Sequence, residues 1–240
     1  MNSTQTKKQT IMLKLSGASL KDGDSDNPIS FDVLQHLAEQ VKLLTPYYNI
    51  AIVLGGGNIW RGKIVKEINM KRHQADYMGM LATVINSIAL ESAFKNNGIK
   101  TKVYSKLEIT KVCDDYLIRN VLNDLENGVV TILAGGTGSP FFTTDTGSAI
   151  AAIEIKADAI LMGKNDVDGV YSDDPKVNPN AIFYPKLTYD DLFVKDLKVM
   201  DATAISLCKE YKISLIVFKI NEKWSIIKTL KKENKFTLIN

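Results

Sequence analysis

The sequence predicts an α/β fold in which a mostly parallel sheet is covered by helices on both faces, and three observations carry that reading. Short apolar runs of strand length alternate with stretches of helical period along almost the whole chain. Four of these runs end in glycine, at Gly17, Gly55, Gly135 and Gly163. No internal repeat, low-complexity tract or Pro/Gly-rich linker divides the 240 residues, so a single domain is expected.

Residues 11–15, IMLKL, read as a buried strand that ends at Ser16-Gly17. Lys14 interrupts the run. A lysine there is costly to bury unless an anion meets it, so it marks either an edge position or a ligand phosphate, and the glycine-ended strands further along favour the phosphate. After the polar loop 22–28, Ser30 is the expected N-cap of a helix carrying Val33, Leu34, Leu37, Val41 and Leu44. Residues 50–54 form a second strand and end in Gly55-Gly56-Gly57-Asn58, with Arg61 shortly after. A long helix is expected from Asp76 through Met80, Val84, Ile88 and Leu90, stopping at Asn97-Gly98. On spacing alone Asp76 reads as its N-cap ahead of a carboxylate for a sugar hydroxyl, and Met78 and Met80 read as core filling. A strand at 102–104, a helix over Leu117, Val121, Leu122 and Leu125 that stops at Asn127-Gly128, and a strand at 129–134 come next.

Residues 132–145, ILAGGTGSPFFTTD, break from a strand into three glycines and then offer Ser139, Thr143, Thr144 and Asp145 before a helix over 149–155. Glycines let the backbone approach a ligand closely, and free N–H groups at a helix start attract anions, so a phosphate-bearing small molecule fits. A tight turn capped by Thr144 or Asp145 fits this stretch as well. A strand at 159–162 ends in Gly163 beside Lys164 and Asn165. The segment 168–175, DGVYSDDP, is either a surface hairpin or a wall for a purine and its ribose. Asp201 opens a helix, 215–218 is a strand, 224–230 a helix and 236–239 a last strand. Ligands of such sheets bind beyond the carboxyl ends of the strands. Four glycine-ended strands on one edge describe a groove with room for more than one phosphate group.

Composition narrows the chemistry. With 30 basic against 27 acidic residues the net charge is +3 and no Lys/Arg block stands out, so nucleic acid is not expected as a partner. Cys113 and Cys208 lack metal-ligand spacing and read as core residues in a reducing compartment. The polar start MNSTQTKKQT is no signal core, no apolar run is judged long enough to span a bilayer, and a cytoplasmic location is expected. The dinucleotide fingerprint fails, because Trp60 and Phe141 stand where its last glycine belongs. The P-loop fails too, because Ile64 follows Gly62-Lys63 and Asn165 follows Gly163-Lys164 in place of Ser or Thr. His36 and His73 read as surface residues. Phosphoryl transfer without a P-loop remains, with Lys14, Arg61 and a bound magnesium supplying charge.

Six segments carry a resemblance. KLSG (14–17), GGGNIWRG (55–62), ADYMGMLATVIN (75–86), GGTGSPFFTTD (135–145), DGVYSDDP (168–175) and LKVMDATA (197–204) resemble, in order and across nearly the whole chain, the bacterial uridylate kinases of the amino acid kinase family. The glycine turns are shared by the wider family, whereas DYMGMLAT, GTGSPFFTTD and LKVMD are particular to the UMP-using branch. The resemblance implies a three-layer α/β/α sandwich with an acceptor lobe over roughly 1–157 and an ATP lobe over roughly 158–240, assembled as a homohexamer. It implies an enzyme of pyrimidine nucleotide synthesis that makes UDP and ADP from UMP and ATP with magnesium.

Residue roles come with the resemblance. Lys14, Leu15, Ser16 and Gly17 would meet the ATP phosphates, Gly57 and Arg61 would hold phosphate between the nucleotides, and Asn165, Tyr171 and Asp174 would line the ATP base and ribose. Gly56 and Asp76 would hold UMP, and Thr137, Gly138, Ser139, Pro140, Phe141, Phe142, Thr143 and Thr144 would wrap its uridine. Lys14, Arg61, Asp145 and Asp201 would be catalytic, with Asp145 or Asp201 near magnesium that is bound largely through nucleotide phosphates. A helix-cap reading stays open for both aspartates. Ala18 and Ser139 replace the family's usual glutamate and asparagine. The loop 21–29, KDGDSDNPI, replaces a GFGI-type turn linked to GTP activation, so GTP activation is not expected, whereas UTP is expected to inhibit at the acceptor site. A carbamate or amino acid kinase of the same fold leaves DYMGMLAT and PFFTTD without purpose. A nucleotide sensor without turnover is opposed by the retention of Lys14, Arg61, Asp145 and Asp201.

Overall fold

The computed structural model describes residues 8–23, 25–61 and 69–240. The polar start at 1–7, Asp24 of the 21–29 loop, and 62–68 with its Gly62-Lys63 pair lie outside the described residues. Strands β1 (Gln9–Leu15), β2 (Tyr48–Leu54), β3 (Thr101–Ser105), β4 (Asp114–Asp115), β5 (Val130–Ala134) and β6 (Ala159–Lys164) alternate with helices α1 (Phe31–Leu44), α2 (Arg72–Asn96), α3 (Ile118–Glu126) and α4 (Thr144–Glu154). A ribbon of β7 (Val170–Tyr171) and β8 (Phe183–Tyr184) precedes β9 (Lys186–Leu187), α5 (Tyr189–Val194), α6 (Ala202–Glu210), β10 (Ser214–Lys219), α7 (Ser225–Leu230) and β11 (Phe236–Ile239). Nine strands form one sheet in the order β4-β3-β5-β2-β1-β6-β10-β11-β9, parallel throughout except where β11 pairs with β10.

Alternation along the strands divides the core into two layers. Met12, Val53, Leu133 and Met162 face one side, where they pack with Val121, Ala149, Leu192 and Ile205 of α3, α4, α5 and α6. Ile11, Leu13, Ile52 and Leu161 face the other, against Leu37, Leu90 and Ile226 of α1, α2 and α7. This is the three-layer sandwich. The small residues Ala149, Ala151 and Ala152 let α4 lie close on the strands, and all three are buried.

Local signals decided most helix ends. The Ser30 hydroxyl accepts from Val33 N–H, and Asp201 caps α6 by accepting from Ala204 N–H. Other expectations need correction. The long helix begins at Arg72 with Lys71 at its N-cap, so Asp76 lies inside the helix and is no cap. Thr143, not Thr144 or Asp145, caps α4 by accepting from the N–H groups of Asp145 and Thr146. Met80 is buried, but Met78 is 37% exposed and fills no core. His36 is half-buried, because its Nε2 accepts from Trp224 N–H and its ring meets the indole edge-on. One expectation about run length also needs correction: α2, with 25 residues, is long and apolar enough to cross a membrane by length and composition, and half of its most apolar stretch is buried. Its mean hydropathy is high because both the core face and an outer stripe are apolar. Both cysteines are buried as expected, and burial pushes the Cys208 thiol up to about 11.

Candidate functional site

Strands β5, β2, β1 and β6 are consecutive neighbours and run parallel, so their four glycine ends meet on one sheet edge. The turns after β1 and β2 pack into each other. A Cβ on Gly17 would collide with Asn58 Oδ1 and stand 2.7 Å from the Gly57 nitrogen, which only glycine permits. Asn58 is held in turn by Asn86 of α2, whose amide donates to Asn58 Oδ1 and to the Gly55 carbonyl, each at 2.8 Å. After β5 the chain turns with positive φ at Gly135, Gly136 and Gly138, a path that brings Thr143 and α4 back over the edge.

The register of β1 explains the charged centre. Lys14 shares the face of Met12, the face covered by α4, so its side chain runs toward the first turn of that helix and forms an ion pair with Asp145. Lys14 is 8% exposed and lies on a central strand, which removes the edge alternative. Asp201 is engaged differently. Its carboxylate accepts from the Thr143 hydroxyl, from the Thr146 hydroxyl at 2.9 and 3.0 Å, and from Ala204 N–H at 3.0 Å. Burial alone would raise its pKa, but these hydrogen bonds outweigh burial and hold it below the usual carboxylate range.

Two cavities flank this centre. One of about 640 Å³ is lined by Gly56, Gly57, Trp60, Asp76, Phe142, Thr143 and Thr144, with more of α2 and its approach behind them. The other, about 780 Å³, is lined by Ser16, Lys164, Asn165, Tyr171, Asp174 and the 196–199 segment. Lys14 sits two residues before Ser16 of the larger cavity, and Asp145 directly follows Thr144 of the smaller. The ion pair thus stands where the cavities approach each other.

The amino acid kinase family model matches residues 9–219 of a chain with this sheet edge. The chain belongs to the amino acid kinase family. Within the family it groups with the uridylate kinases. A uridylate kinase of Malacoplasma penetrans is 52% identical over 97% of this chain and 73% of its own length. A uridylate kinase of Ureaplasma parvum is 47% identical over 98% of this chain and 99% of its own. A crystal structure of UMP kinase from Ureaplasma parvum superposes with a TM-score of 0.95 at 46% identity, covering 98% of this chain and 100% of that one.

The family residues named from sequence fall into distinct places. Ser16, Asn165, Tyr171 and Asp174 line the larger cavity; Ser16 and Ser19 hydroxyls lie 3.1 Å apart, and Ser19 donates to Asn165 Oδ1 at 2.5 Å. The Tyr171 hydroxyl donates to Asp168 at 2.6 Å and accepts from Lys235 at 2.8 Å. The Leu15 side chain is wholly buried and offers a ligand only backbone. Arg61 is exposed and donates to the Gly57 carbonyl at 2.9 Å. Asp76 accepts from Phe141 N–H at 2.8 Å and from Arg72 at 3.3 Å, which ties α2 to the 137–142 loop. Thr137, Gly138, Ser139, Pro140 and Phe141 form that loop outside the smaller cavity, with the Thr137 hydroxyl donating to the Ser139 carbonyl at 2.8 Å.

Sequence reasoning passed over Trp60, Gly79, Met80 and Thr83 as cavity residues. The spacing of Ala75, Asp76, Gly79, Met80 and Thr83 puts them on one helix face, a signal present in the sequence. Among the described residues no three acidic, histidine or cysteine side chains gather to hold a metal by themselves. With Asp201 saturated, Asp145 is the carboxylate suited to a hydrated, phosphate-borne magnesium, which needs few protein ligands.

Proposed function

We propose that the chain phosphorylates UMP at the expense of ATP, giving UDP and ADP in pyrimidine nucleotide synthesis. The observation that carries this is the Lys14–Asp145 ion pair between two nucleotide-sized cavities at the glycine-rich edge. UMP occupies the smaller cavity, with its phosphate toward Gly56, Gly57 and Arg61, and with Asp76, Phe142, Thr143 and Thr144 around ribose and uracil. ATP occupies the larger cavity, with base and ribose against Asn165, Tyr171 and Asp174. This division supports the two-lobe reading, since the smaller cavity draws only on residues before 145 and the larger mainly on residues after 163.

An oxygen of the UMP phosphate attacks the γ-phosphorus in line, and the bond to the ADP oxygen breaks. No covalent enzyme intermediate is needed, so catalysis is positioning and charge stabilisation. Lys14 draws charge off the transferring group, and Arg61 approaches from the acceptor side. Asp145 would hold a magnesium ion carried by ATP, which would supply charge neutralisation there. Asp201 acts through Thr143 and Thr146, which fix the start of α4 and hence Asp145.

A homohexamer, inhibition by UTP at the acceptor site and a cytoplasmic location complete the proposal. Self-association is supported by the outer stripe of α2, where Tyr77, Leu81, Ile85 and Ile88 lie exposed at helical spacing. ADP release with ATP and magnesium, measured with UMP, CMP, AMP and carbamate in parallel, tests the reading. Strong preference for UMP is expected. Tight UMP or UTP binding without turnover would instead make the chain a sensor.

A further inference from the structure

Lys164 closes β6, the strand beside β1. Lys14 is register partner to Met162, and side chains alternate along a strand, so Lys164, two residues beyond, shares the face of Lys14 on the adjacent strand. Asp145 stands in the first turn of the helix packed on that face. Lys164 Nζ donates to the Val199 carbonyl at 2.8 Å and lines the 780 Å³ cavity. On its other flank its register partner is Lys219, a like-charge pairing that is unfavourable without an anion nearby. Burial and the charge of Lys14 push the Lys164 ammonium below the usual lysine range, against the opposing pull of Asp145. An ammonium has three donors, and Val199 takes one of them.

We propose that Lys164 is a further phosphate-binding residue, holding the polyphosphate of the nucleotide in the larger cavity alongside Lys14. The inference rests on the reading of that cavity as the ATP site. Lys14 pairs with Asp145, and the same carboxylate's charge reaches Lys164, so one carboxylate faces two lysines and leaves a positive charge that a polyphosphate neutralises. Lys14, fixed from the β1 side, meets the group in transfer. Lys164, fixed by Val199, meets the same polyphosphate from the β6 side.

The test compares wild type, Lys164→Met and Lys164→Arg in calorimetric binding of adenosine, ADP and ATP, followed by steady-state kinetics with UMP. Lys164→Met should weaken ATP about 10- to 100-fold, the loss of a charged hydrogen bond, with ADP less affected and adenosine unaffected. The KM for UMP should stay unchanged, and Lys164→Arg should recover part of the ATP affinity. Grading by phosphate number is what a merely structural role would not produce. Wild-type ATP affinity in Lys164→Met, or equal loss for adenosine and ATP, overturns the inference; the second result would make Lys164 a prop for the Val199 segment. Should Lys164→Met fail to fold by thermal melting, Lys164→Gln, which keeps a donor for Val199, gives the same comparison with the same outcomes. A wild-type chain that binds none of the three ligands overturns the assignment of the cavity and the inference with it.

Discussion

The smaller cavity is walled by one face of a 25-residue helix and by glycine turns packed to backbone contact, whereas the larger is walled by a two-stranded ribbon and loops. Helix α2 is fixed by buried Val84, Leu90 and Phe94 beneath the cavity residues Asp76, Met80 and Thr83. The ribbon side depends on separate polar bonds, short-range ones such as Asp174 accepting from Lys176 N–H at 2.9 Å and Tyr171 donating to Asp168, and a longer tie from Lys235 to the Tyr171 hydroxyl. Rigid elements hold a pocket more exactingly than loops do. On the proposed assignment of the cavities, selectivity for the acceptor would reside in packed structure and ATP binding in separable polar contacts.

Substitutions can break or sharpen that contrast. The largest effect is expected at the centre: Lys14→Met should lower kcat on the order of 10²–10³-fold while both ligands still bind, checked by turnover and calorimetry. Gly17→Ala should come next, because its Cβ meets backbone of the neighbouring turn at 2.7 Å; denaturation should show roughly 1–3 kcal/mol of lost stability. Asp76→Asn should raise the KM for UMP about 10-fold and leave the KM for ATP nearly unchanged. Equal losses for both nucleotides would show that Asp76 merely braces the Phe141 loop. Tyr171→Phe removes one hydroxyl from the loop-built wall and should raise the KM for ATP roughly 2- to 5-fold, with UMP unaffected.

The smallest effect concerns pH. The folded-state pKa of Asp201 is lowered, so its ionised form stabilises the fold above the unfolded value of about 3.9, and that contribution is lost as pH falls through the lowered value. Asp201→Asn should thus melt below wild type at pH 7, and the gap should narrow at pH 3. A gap that does not change with pH would show that the carboxylate charge is irrelevant to α4 and α6.

The two aspartates at the start of α4 and α6, Asp145 and Asp201, show how far the sequence could be read. Both stand at helix starts, and sequence left both as caps or catalytic groups. Tertiary structure separates them: Asp201 is the cap of α6 and is saturated by threonine hydroxyls, while Asp145 lies one residue inside α4, where Thr143 does the capping. Asp76 went the other way. It resembled a cap in spacing, but the helix had already begun at Arg72, and its partner Phe141 is 65 residues distant. No local pattern reports a contact of that range.

The sequence by itself determined the alternation of strands and helices, the glycine strand ends and the oddity of Lys14 in an apolar run, because these follow from periodicity and from the cost of burying charge. Only the tertiary structure decided that β5, β2, β1 and β6 lie side by side, that Lys14 faces α4, and that Lys164 joins it. Strand order and register are set by packing across the whole sheet, and a linear pattern of residues does not contain them.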